Sequence, residues 1–147
     1  MADKIALRLM NADDYAQCQQ LWQRNEGSVM RDWDDERGIR RFLARNPKMS
    51  WVAVQDKAIV GSVLCGSDGW RGYLYHLAVD EHCRKRGLAT ALVSRAIAQL
   101  EEFGVPRAHI LVAHDNPKGG LFLMDQAWTK RDDVTLFSTD LSRPILQ

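Results

Sequence analysis

The sequence predicts a single α/β domain over residues 1–147, an α+β mixed sheet with helices in the order β-α-α-β-β-β-α-β-α-β. Three observations carry that expectation. The apolar pattern switches repeatedly between period two and period 3.6. One strong helical stripe, Leu88, Leu92, Ala96 and Leu100, lies between two strand-like runs and so implies a parallel crossover step. A length of 147 residues, 46% apolar and 27% charged, has the size and composition of one packed domain.

Each element has its own signal. Ile5 to Met10 reads as a strand, after which Asn11 offers an N-cap and Ala12 to Arg24 places Tyr15, Cys18, Leu21 and Trp22 at helical spacing. Gly27 to Asp32 reads as a loop, and Asp34 to Arg45 as a second helix with Ile39, Phe42 and Leu43 inward, stopped by Asn46-Pro47. Trp51 to Val54 and Ala58 to Cys65 flank Gln55-Asp56-Lys57 as an antiparallel hairpin. Gly66 to Gly69 turns the chain into Gly72 to Asp80, whose alternation puts Tyr73, Tyr75, Leu77 and Val79 on one face and Leu74, His76 and Ala78 on the other. The helix from Leu88 ends at Gly104. His109 to Ala113 reads as a buried strand, Pro117 to Gln126 as a weak helix, and Asp133 to Leu141 as a closing strand.

Charge and cysteine usage exclude several classes. With 20 Lys+Arg against 19 Asp+Glu the net charge is +1, so no global basic field is available for nucleic acid or an anionic membrane, and neither is expected as a partner. Cys18, Cys65 and Cys83 form neither a zinc pattern nor a disulfide framework, and His76, His109 and His114 lack metal-ligand spacing. No export or anchoring signal is read in MADKIALRLMNADD, and a cytoplasmic protein is expected.

Chemistry concentrates in Leu77 to Ala89: a strand end, a basic loop with Arg84, Lys85, Arg86 and Gly87, then the strong helix from Leu88. Unpaired N–H groups and the positive end of the helix dipole meet there, and Gly87 and Ala89 let a phosphate approach the main chain. The segment is neither G-x-x-x-x-G-K-[ST] nor G-x-G-x-x-G, which excludes the nucleotide P-loop and the Rossmann turn.

With that element order, Arg84-x-x-Gly87-x-Ala89 resembles the GCN5-related N-acetyltransferase superfamily. The pattern Gly66-x-Asp68-Gly69-x-Arg71-Gly72, then Tyr75 and Leu77-Ala78-Val79, is similar to its small bacterial YpeA-type members. The resemblance implies a mostly antiparallel sheet with a parallel central pair, acetyl-CoA as co-substrate, and direct transfer of acetyl to an amine, with dimers common. It implies that Arg84, Lys85, Arg86, Gly87, Leu88 and Ala89 cradle the pyrophosphate, and that the main chain of Leu77, Ala78 and Val79 pairs with the pantetheine arm and polarises the thioester carbonyl.

For Asn116 two readings stand side by side: a pantetheine contact implied by the family, and an N-cap before Pro117. The family's helix tyrosine, which protonates the departing thiolate, is replaced by Leu123. Tyr75 and Tyr73 are the candidates for the proton chemistry, against the alternative that two aromatics simply fill the sheet. The acceptor, an amine on a small molecule or a protein N-terminus or lysine, is expected at Trp33, Asp68 and Arg71, from a pool that also holds Trp22, Asp34, Asp35 and Trp70. The alternative to an enzyme is a CoA or acyl-CoA sensor of the same fold, which the missing tyrosine favours.

Overall fold

The computed structural model describes residues 4–25, 31–114 and 116–141. Strands β1 (Ile5–Leu9), β2 (Trp51–Gln55), β3 (Ala58–Ser67), β4 (Gly72–Val79) and β5 (Ala108–Ile110) form one sheet in that order. The first four are antiparallel and β4–β5 is parallel. The β2–β3 hairpin closes through Asp56 at φ 50° and Lys57 at φ 68°, the two left-handed residues that a tight turn matched to strand twist requires.

Helices α1 (Tyr15–Arg24) and α2 (Glu36–Arg45) cover one sheet face with Cys18, Leu21, Trp22 and Ile39, against Val52, Ile59, Leu64 and Ala78. Helix α3 (Leu88–Glu102) covers the other with Leu88, Leu92, Val93, Ala96 and Leu100, against Ala53, Val63, Cys65 and Leu74. Phe122 of α4 (Pro117–Asp125) joins this second core. The stripe that predicts α3 is thus the stripe it buries. Asn11 caps a short 3-10 turn, Ala12–Asp14, ahead of α1, and Asp35 caps α2 by accepting from the Gly38 N–H at 2.8 Å. The expected loop Gly27 to Asp32 lies largely outside the described residues.

Three expectations are corrected. The closing strand Asp133 to Leu141 does not form: the segment is irregular, with Val134, Leu136 and Phe137 between 62% and 88% exposed. Its alternation needs an edge to pair with, and β5 offers only Ala108–Ile110, shorter than the predicted His109 to Ala113. The parallel pair therefore stands at the edge of the sheet and not at its centre. Finally, β4 does not alternate throughout, because a bulge sets His76 and Leu77 against the single residue Val63, with His76 at φ 48°. The extra residue moves His76 to the α1 side together with Tyr75, while Leu77 and Val79 turn to the α3 side.

Candidate active site

The site forms where β4 ends and α3 begins. Its loop holds a short 3-10 turn, Glu81–Cys83, and then Arg84 to Gly87, all four of which are exposed. Gly87 is the residue before α3, at φ 77°, and a Cβ built there would meet nothing within 4 Å. The glycine is required by the backbone angle, and the space above it is open. No side chain caps α3, and its first intrahelical bond runs from the Ala91 N–H to the Gly87 carbonyl at 3.0 Å. The N–H groups of the first turn therefore point out of the helix, with the dipole behind them. Arg84 folds back, its Nε donating to the Val79 carbonyl at 3.2 Å, and an Arg24–Asp80 ion pair at 3.0 Å closes that end. A cavity of about 110 Å³ lies between them, lined by Arg24, Val79, Asp80 and Arg84.

The second component is an open strand edge. β5 pairs with β4 only at Gly72, Tyr73 and Leu74, so among the described residues no strand covers that edge from Tyr75 to Val79. The Asp80 N–H donates to the Val60 carbonyl of β3 at 2.7 Å. Strand N–H groups alternate between edges, so those of Val79 and Leu77 face away from β3 into the open side. An extended ligand laid along this edge would find main-chain partners and, at its far end, the α3 N-terminus.

At the bulge, a buried polar network links four residues from four parts of the chain. His76 Nε2 lies 3.1 Å from Asp34 Oδ1, with both side chains nearly buried. The imidazole stacks on Trp22, ring centroids 4.0 Å apart and planes 13° apart. Trp22 Nε1 donates to Ser62 Oγ at 2.8 Å, and Ser62 Oγ donates to the His76 carbonyl at 2.8 Å. Beside it, Tyr75 meets Phe42 edge-on and stacks on Tyr73, whose other neighbour is His109. Burial pushes the Tyr75 phenol up, with Tyr73 and Asp68 adding to it, which leaves even less phenolate near neutrality than a free tyrosine has.

With this geometry in view, residues 10–119 match the family model of the Acetyltransferase (GNAT) family. The chain belongs to that family. An acetyltransferase of Pectobacterium atrosepticum is 40% identical over 113 residues, 76% of this chain and 79% of the relative. Among solved structures, an aminoglycoside N-acetyltransferase in complex with CoA superposes with a TM-score of 0.74 at 14% identity, covering 96% of this chain and 98% of that one. An aminoglycoside acetyltransferase from an uncultured soil metagenomic sample, in complex with sisomicin, gives 0.72 at 18% identity, covering 94% and 97%. At those identities the likeness is one of fold, and the fold is that of GNAT acetyltransferases.

The structure also places the other positions that the sequence singles out. Asp68 accepts from the Trp70 and Arg71 N–H groups at 2.7 and 2.9 Å, bonds that hold its carboxyl below the usual range. Gly69 there is at φ 90°. Asp68, Trp70 and Arg71 thus build the β3–β4 turn, at the opposite end of β4 from Gly87. Trp22 is fully buried and offers no surface to an acceptor, whereas Trp33 is 56% exposed. Asn116 caps α4, accepting from the Gly119 N–H at 3.2 Å. Leu123 is buried, its carbonyl accepting from the Trp128 N–H at 3.0 Å. Among the described residues no group of His, Cys, Asp or Glu could hold a metal ion, and no helix is long and apolar enough to cross a membrane.

The His76–Asp34 pair is absent from the sequence reading because it is separated by 42 residues and made by a bulge that no periodicity announces. The one signal is a histidine inside the otherwise apolar run Leu74 to Val79.

Proposed function

We propose that this acetyltransferase uses acetyl-CoA and transfers the acetyl group directly to a primary amine of a small molecule or protein. The observation that supports the reading is the continuity of two features: an open β4 edge from Tyr75 to Val79 and, directly after it, an uncapped helix N-terminus behind a left-handed Gly87. The residues fit such a ligand. Open space over Gly87 leaves room for a diphosphate, the first-turn N–H groups of α3 would bond it, and Lys85 and Arg86 would neutralise it. The N–H groups of Leu77 and Val79 would hold the extended arm and donate to a carbonyl oxygen as it gains negative charge. When bound, acetyl-CoA supplies an acetyl group activated as a thioester. Direct transfer needs no nucleophile from the protein, and the buried Cys18 and Cys65, whose thiols burial pushes up to about 12, supply none.

A solved aminoglycoside N-acetyltransferase of this fold holds CoA and another holds sisomicin, which favours an amine-bearing acceptor here. The acceptor side is the α1–α2 face, where Trp33 is exposed and Tyr73 and Tyr75 line the strand. The direct test is thiol release from acetyl-CoA against polyamines, aminoglycosides, amino acids and peptide N-termini. Release with at least one amine, with mass gain of one acetyl on that amine, is the expected result. A second reading, a CoA sensor without turnover, draws on Leu123, which is apolar and buried on the helix after Asn116. Tight CoA binding with no release from any amine would select it.

A further inference from the structure

We propose that His76, oriented by Asp34, is the catalytic residue that takes the proton from the acceptor amine. The inference rests on the amine-acetylation reading above. Asp34 Oδ1 accepts at 3.1 Å from Nε2, so the hydrogen sits on Nε2 and the lone pair on Nδ1. No described group bonds Nδ1. The His76 side chain keeps 8% of its surface exposed.

The ring is held by Trp22 on one face and by Asp34 at Nε2. Trp22 stacks on it, Ser62 bonds both the Trp22 indole and the His76 carbonyl, and the Tyr15 hydroxyl donates to the Asp34 carbonyl at 3.1 Å. A non-glycine residue at φ 48° is strained, and such strain collects where function holds it. The strain here aims an imidazole. His76 directly precedes Leu77, whose N–H faces the open edge, and its ring lies on the same sheet face as Tyr73 and Tyr75.

The surrounding groups leave the imidazole to carry the proton. From α1 it is faced by Trp22, with Cys18 and Tyr15 the titratable residues on that side; from the 3-10 turn ahead of α2 by Asp34; from β3 by Ser62; and Tyr75 adjoins it on β4. Burial holds the Cys18 thiol at about 12, and burial raises the Tyr15 and Tyr75 phenols. All three stay neutral through the working range. Imidazole is the side chain that changes charge near neutrality.

The step balances without a further reagent. The ammonium gives one proton to Nδ1, which passes it to solvent. The freed nitrogen forms a bond to the acetyl carbon as the carbon–sulfur bond breaks, and the second proton shed by that nitrogen goes to the departing sulfur.

The test compares wild type with His76→Asn and Asp34→Asn, asparagine at 76 being tolerated in left-handed backbone. Both variants should bind CoA within about twofold of wild type. His76→Asn should lose roughly 10²–10⁴-fold in kcat and the acid-side inflection of kcat/KM, which a merely structural role would not remove. Retention of that inflection with kcat within tenfold overturns the proposal; if His76→Asn does not fold, Asp34→Asn carries the same test. Nitrogen-15 NMR of His76 decides independently of turnover: a neutral ring protonated at Nε2, hydrogen-bonded to Asp34, is expected. A neutral ring protonated at Nδ1 overturns it. Failure of wild type to bind CoA or acetylate any amine counts against the amine-acetylation reading, and the NMR result still judges His76.

Discussion

Trp22 donates its indole N–H to Ser62 Oγ at 2.8 Å across the α1–β3 interface, and both residues are fully buried. Ser62→Ala leaves that N–H and the His76 carbonyl without their partner. Leaving a buried polar group unsatisfied costs about 1–3 kcal/mol, so urea unfolding should show a loss in that range. A smaller loss would mean that water enters and replaces the hydroxyl.

Arg8 and Asp14 form a bidentate pair at 2.8 and 2.9 Å, and Asp14 Oδ2 also accepts from the Asn11 N–H at 2.9 Å. Burial alone would raise the Asp14 carboxyl, but the Arg8 guanidinium and the Asn11 N–H outweigh it and hold it below the usual range. A carboxylate depressed in the folded state contributes stability that is present above its unfolded value and is lost as pH falls through the folded value. Acid titration of stability should therefore steepen below about pH 4, and Asp14→Asn should flatten that fall. Equal acid slopes for variant and wild type would contradict the assignment.

Two glycines respond in opposite directions to alanine. A Cβ at Gly66 would sit 2.8 Å from Phe42 and Asn46 side-chain atoms, while one at Gly120 would meet nothing within 4 Å. Gly66→Ala forces the α2 end off β3 and should cost about 1–3 kcal/mol. Gly120→Ala lies inside α4 and should gain roughly 0.4–1 kcal/mol, chiefly by restricting the unfolded chain. Melting temperatures shifted in the same direction would refute the pair.

Leu123 is a buried position on α4, 7% exposed, so the larger phenol would have to be accommodated by its neighbours. Leu123→Tyr should destabilise by about 1–3 kcal/mol through overpacking and should not raise the rate of acetyl transfer. A rate gain at unchanged stability would show that the helix can turn this position toward the β4 edge.

The strands of the meander, the α3 stripe and the loop ending at Gly87 were legible because each rests on local chemistry: alternation, a period of 3.6, and a glycine where the backbone turns left-handed. The closing strand was not, since alternation from Asp133 to Leu141 says nothing about whether an edge awaits it, and β5 is too short to provide one. The faces of β4 were misread beyond Tyr75 for a related reason. A one-residue bulge reverses every later side chain, and it is fixed by tertiary partners, Trp22, Asp34 and Ser62, that no window along the sequence contains. Asp68 and Arg71 were legible as a turn and took on an acceptor role only through the family resemblance; their hydrogen bonds are those of the turn.

The central claim is that the loop before α3 and the adjacent β4 edge bind CoA. Titration calorimetry of CoA into wild type and Gly87→Glu tests it most directly, because the carboxylate would stand in the open space over the α3 N-terminus. Wild type should bind, and Gly87→Glu should bind at least about tenfold more weakly, and more weakly than Gly87→Asn, which is tolerated in left-handed backbone and adds no charge. Equal CoA affinity in wild type and Gly87→Glu, or no binding by wild type, would contradict the account.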